Sequence, residues 1–143
     1  MAGRTAIGLL IALVVGVAVG GLSIGALPAA STTVAPTLSV DGDRVALTHR
    51  AGTAVDVRRL DVVVRVDGDP LAHQPPVPFF SAEGFHPGPT GPFNAAADPT
   101  WTPGERASFR VASTNRPSIA AGARVTVELR RGGRRLAVLS ATA

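Results

Sequence analysis

The sequence has no cysteine, which rules out disulfide staples, a thiolate metal site and a cysteine nucleophile. Lysine is absent as well, all 14 basic residues being arginine, a usage that fits a GC-rich genome and does not bear on mechanism. Histidine is scarce. His49, His73 and His86 are the only three and form no H-x-x-x-H pair, so a zinc site would need three distant segments to converge. The arginines are scattered in spite of a net charge of +4. The nearest patch, Arg130, Arg131, Arg134 and Arg135 around Gly132-Gly133, reads as a solvated hairpin tip, and nucleic acid is not an expected partner.

The acidic residues offer little chemistry. Asp41, Asp43, Asp67, Asp69 and Asp98, with Asn94, fall in turns, where such side chains bond neighbouring backbone amides, and the twelve-residue calcium-loop pattern is missing. Glu83 and Glu105 form an acid pair only formally, since nothing fixes their separation. No cofactor or metal is expected, and no enzymatic activity.

What the sequence does contain begins at the N-terminus. Residues Thr5 to Leu27 form a run of 23 without a charge, long enough as a helix to cross a hydrocarbon core of about 30 Å. Arg4 precedes it and Asp41 is the first charge after it, so the positive-inside rule places the N-terminus in the cytoplasm and the remainder outside the cell. A cleaved secretory signal, cut after Gly25 or Ala30, is the alternative and yields a secreted domain. Gly8, Ala12, Gly16 and Gly20 form a small-residue stripe on which another helix could pack. Gly21 to Gly25 matches G-x-S-x-G, but a nucleophile elbow needs a strand before and a helix after it, and Ser23 closes an apolar run.

Beyond this run the chain divides into a tether, residues 28–36, and one domain, residues 37–143, with residues 1–4 as a short cytoplasmic start. Alternation predicts a hairpin of Leu38–Val40 and Val45–His49 across Asp41-Gly42-Asp43, and a long strand from Val55 to Val66. A strand from Glu105 to Ala112 turns Ala107, Phe109 and Val111 to one face, with Arg106, Ser108 and Arg110 on the other. A last hairpin runs from Val125 through Gly132-Gly133 to Ser140. Between Pro70 and Pro103 lie nine of the twelve prolines, which exclude helix and central strand. Phe79, Phe80, Phe85, Phe93 and Trp101 also fall there. They predict either rings that fill the core or an aromatic surface for a carbohydrate or protein ligand. The fold class expected is all-β, an immunoglobulin-like antiparallel sandwich of about six to eight strands behind a single transmembrane helix.

The run Leu47-Thr48-His49-Arg50-Ala51-Gly52, then Val55-Asp56-Val57-Arg58-Arg59-Leu60 and a valine-rich strand ending in Asp67-Gly68, resembles the L-T-H-x-G-G and D-x-x-x-L signature in the heads of archaeal type IV pilins. Pro76-Val77-Pro78-Phe79-Phe80, Gly91-Pro92-Phe93-Asn94 and Asp98-Pro99-Thr100-Trp101 are similar to a haloarchaeal subgroup. The resemblance covers most of residues 37–140. It implies an archaellin-like or pilin-like surface protein, a filament or adhesion subunit with an N-terminal hydrophobic helix, whose partners are the membrane, copies of itself or other pilin-like subunits. At the N-terminus only Met1-Ala2-Gly3-Arg4 precedes the apolar run, shorter than the basic leader of that family.

Overall fold

The computed structural model describes residues 32–143. The apolar run 5–27, the stripe Gly8, Ala12, Gly16 and Gly20, and Ser23 lie outside the described residues. Among the described residues no helix is long and apolar enough to cross a membrane.

Valine or leucine at every second position gives a strand one oily face, and the chain pairs such strands antiparallel. β1 (Val34–Asp41) and β2 (Arg44–Gly52) form the first hairpin, and β7 (Arg106–Arg110) adds to the other edge of β2. The larger sheet has the order β5-β4-β8-β9, from Asp69–Pro70, Leu60–Val66, Arg124–Arg131 and Arg134–Thr142. A two-stranded piece joins β3 (Val55–Asp56) to β6 (Thr100–Trp101). The described residues are thus all-β with antiparallel sheets, and hold nine strands, three of them only two residues long.

The inner faces of both larger sheets feed a single core. Val45 and Leu47 of β2, Val62, Val64 and Val66 of β4, Val125, Val127 and Leu129 of β8 and Leu139 of β9 are all buried. Each such side chain contributes roughly 1.5–3 kcal/mol by leaving water. β1 and β9, outer strands of different sheets, run alongside each other without sharing a ladder.

Three expectations need correction. β1 begins at Val34, inside the stretch read as tether; Val34 is 1% exposed and pairs with Gly52. The strand expected from Val55 to Val66 is broken by a 3-10 turn at Val57–Arg59. Asp56 Oδ1 accepts from the Arg58 amide at 2.9 Å, and its carboxylate grips the Arg58 guanidinium at 3.0 and 2.8 Å. This local pairing competes successfully with the ladder, so β3 pairs with β6 while β4 crosses to the larger sheet. Ser108, placed on the solvent face by alternation, is only 3% exposed. The proline-rich loop covers it, with Thr90 bridging to it through backbone bonds of 2.9 and 3.3 Å and a hydroxyl pair at 2.7 Å.

That loop is held by polar contacts at three points. The Val77–Ser81 stretch forms only an isolated bridge, Phe79 to Asn94. Asn115 is fully buried. Its Oδ1 accepts from the amides of His73 and Arg116, and its Nδ2 donates to the carbonyls of His73 and Gly84, at 2.9–3.2 Å. Gln74 lies on the free edge of β4, where its side-chain oxygen accepts from the Val64 amide at 2.7 Å and its nitrogen donates to the Val64 carbonyl at 3.0 Å. One side-chain amide thus makes both bonds that a neighbouring strand residue would make.

Candidate functional site

The aromatic residues singled out in the sequence come from one loop, and the fold turns most of them inward. Phe79, Phe85, Phe93 and Trp101 are buried, while Phe80 is 60% exposed. Phe109 of β7 completes the cluster. Phe79 meets Phe85 at 5.6 Å between ring centroids, Phe85 meets Phe109 at 5.7 Å, and Phe93 lies between Phe109 at 6.1 Å and Trp101 at 5.4 Å. Tilted and edge-on contacts of this kind add about 0.5–1.5 kcal/mol each beyond burial. The aromatic surface expected as one alternative is reduced to Phe80.

His49 also enters this cluster, its ring edge-on to Trp101 at 5.3 Å. Its Nε2 donates to the Thr53 carbonyl at 2.8 Å, and Nδ1 is buried with no hydrogen-bond partner among the described residues. The other two histidines are at the surface, His73 beside Glu83 at 3.6 Å and His86 beside Asp43 at 3.4 Å. The three do not converge, and among the described residues no group of three or more histidines and carboxylates is placed to hold a metal ion. Glu83 and Glu105 serve different loops, Glu105 accepting from the Thr102 amide at 2.8 Å.

Alternation in β8 puts Glu128 on the solvent side, yet its side chain is only 6% exposed. Arg65, Arg130 and Arg135, from three adjacent strands, close over it at 3.4, 2.7 and 3.0 Å. The arginine stems exclude water while their heads satisfy the carboxylate. Burial pushes the Glu128 carboxyl up, but hydrogen bonds from Arg135, Arg130 and Arg65 outweigh it and hold the group below its ordinary value. Sequence reasoning missed this cluster. The four-arginine run was visible, but the carboxylate beneath it is apparent only once the β4-β8-β9 register is known. Next to it, an open groove of about 530 Å³ runs along β4 between Leu60, Val62 and the Pro75-Pro76-Val77 wall, with Arg58 and Arg130 at its rim.

These ion pairs set the acid response. Asp43 is lowered by its hydrogen bond from Arg110, and Asp56 is held down at about 2 by the Arg58 guanidinium. With Glu128, all three folded-state values lie below the unfolded ones, so protons bind the unfolded chain more readily and stability falls as pH falls. Thermal melts should therefore show a Tm constant at neutral pH that declines progressively from about pH 4.5, the ordinary glutamate value, toward about 2. Glu128→Gln should flatten the upper part of that slope, and a slope identical to the parent's would show that Glu128 does not titrate as described.

The chain matches no protein-family model, and a search of curated proteins finds no relative.

Proposed function

We propose that the chain is a non-catalytic, membrane-anchored surface protein with a structural or adhesive role. The uncharged run 5–27 anchors it, and residues 34–143 form an immunoglobulin-like β-sandwich head outside the cell. A pilin-like subunit or minor component of a type IV pilus-type filament is the specific form that the motif resemblance favours. The observation that carries the reading is the fate of the aromatic loop. All its rings but Phe80 are spent on the interior, as suits a head that must be rigid. Two antiparallel sheets feeding one core support the sandwich assignment. A binding module for carbohydrate or protein is the second reading, and it retains only Phe80 of its expected ring surface.

Intact mass of the native protein in the membrane fraction tests the anchored form. An N-terminus at Met1, or trimmed to Arg4, is the expected result. An N-terminus near Ser31 on protein recovered from the medium would overturn it and leave a secreted domain.

A further inference from the structure

Charge is distributed unevenly along the strands. Thr32, where the described chain begins, accepts a hydrogen bond from Arg131 through its hydroxyl. Arg131 lies across from Arg134 in the β8–β9 hairpin and from Leu60 in β4, and Arg130 lies across from Arg135. Arg58 and Arg59 directly precede Leu60. Six guanidinium groups therefore share one end of the domain with the point where the N-terminal segment joins it.

Four carboxylates accompany them, one of which, Asp98, lies beside the β3–β6 pair near Arg58. Asp56 holds Arg58 at 2.8 Å, Glu128 holds Arg130 and Arg135 together with Arg65, and Asp61 stands opposite Arg130. Arg59, Arg131 and Arg134 form no ion pair among the described residues. The strands that start here, β1 and β4, run to the Asp41-Gly42-Asp43 and Asp67-Gly68-Asp69 turns, where four aspartates meet three arginines: Arg44 across from Asp41, Arg110 bound to Asp43, and Arg124, whose amide bonds to Asp67. The arginine excess therefore lies at the end where the chain enters, while the opposite end is close to balanced.

Distance makes this excess consequential. From Leu27, the last residue of the apolar run, to Thr32 is five residues, which span at most about 17 Å when fully extended. Screening at physiological salt acts over about 8 Å. Any surface that takes up the uncharged run thus faces the arginines from within about two screening lengths. Guanidinium matches phosphate oxygens in geometry and charge. We infer that this arginine end docks on the anionic phospholipid headgroups around the anchor and holds the head upright, aspartate turns outward, an inference that rests on the anchored reading above. Each arginine near such a surface favours contact by roughly fivefold, so Arg59, Arg131 and Arg134 together supply about a hundredfold at low salt.

The lack of cysteine permits a single reporter site. Ala54→Cys marks the arginine end, since the adjacent Thr53 amide bonds to the Thr33 carbonyl, and Ser113→Cys marks the far end, beyond Val111, whose amide bonds to the Asp43 carbonyl. The full chain, dye-labelled at either site, would be placed in nanodiscs of neutral lipid or of neutral lipid with about 30% phosphatidylglycerol, each carrying a headgroup quencher. The expected result is quenching at position 54 several-fold above that at 113 on anionic discs. It should fall to the neutral-disc level in about 0.5 M salt, and likewise in the Arg59→Gln, Arg131→Gln, Arg134→Gln triple variant. Equal quenching on both lipids by a chain that stays in the discs would overturn the docking and leave the anchor intact. A chain that elutes apart from both kinds of disc would overturn the anchored reading and the docking with it. The salt arm uses the unaltered arginines, so a poorly folding triple variant does not blunt the test.

Discussion

Trp101→Ala should lower the urea midpoint of the domain by about 2 M, corresponding to a loss of about 4 kcal/mol. The indole is fully buried at the junction of three elements. It lies on β6, which pairs with β3; its ring meets His49 of β2 and Phe93 of the Gly91–Phe93 turn; and its Nε1 donates to the Glu105 carbonyl at 2.9 Å. That carbonyl also accepts from the His49 amide at 2.9 Å, so it keeps a partner when the indole is gone. The cost is therefore mostly packing and cavity, with a smaller polar part. Trp101→Phe separates them, since it keeps a ring and drops the N–H, and should cost about 1–2 kcal/mol. Far-UV circular dichroism must follow the transition, because Trp101 is the sole tryptophan. A midpoint shift below about 0.5 M in the alanine variant would mean that the site collapses around the missing ring and that the junction is not held by it.

The second large effect is expected at a residue with no side chain. Gly91 sits at φ +64°, and a Cβ there would lie inside van der Waals contact with the Arg106 carbonyl oxygen and 3.2 Å from the Ala107 Cα. Both obstacles are backbone of β7 and cannot swing aside. Gly91→Ala must therefore lift the turn that carries Phe93 away from β7, and with it the Thr90–Ser108 bridge. We expect a loss of about 3 kcal/mol. Hydrogen exchange at Thr90 and Ser108 should accelerate by more than exchange in β8. Gly88→Ala is the matched control. It has a comparable φ of +80° and open space around its Cβ position, so it isolates the conformational cost, about 1–2 kcal/mol. If the two variants melt together, the close approach of the loop to β7 is not what Gly91 protects.

Strands whose alternation is decided by burial were legible in the sequence. β2, β4, β7, β8 and β9 all follow the period of two, because one face of each meets the same core. The break at Asp56–Arg58 was not legible. Valines on both sides argue for continuity, and the decision lies with a carboxylate that satisfies an amide two residues on and with Trp101, 46 positions after Val55, as the pairing partner. Ser108 and Glu128 misled for a shared reason. Alternation tells which face a residue is on, but not what later covers that face: a proline-rich loop over Ser108 and three arginine stems over Glu128. The arginine end was half visible. Arg130 to Arg135 are neighbours in sequence, whereas their grouping with Arg58, Arg59 and the start of the domain depends on the pairing of Leu60 with Arg131.

Gln74 gives the uncovered edge of β4 a property that bears on how copies of the domain meet. A strand edge exposes alternating donors and acceptors that any other extended chain can read, and densely displayed domains meet one another's edges constantly. β4 is long and rich in valine, yet its pairing with β5 is limited to two positions. Beyond them, at Val64, the amide is occupied by the Gln74 side chain and the carbonyl is shared between Gln74 and the Leu71 amide. Unlike a strand, a glutamine amide does not propagate the ladder, since its far side offers no peptide for a further neighbour. The edge is thus interrupted at Val64 by a dead-end group, which confines any added strand to the short stretch of β4 that borders the groove at Leu60 to Val63.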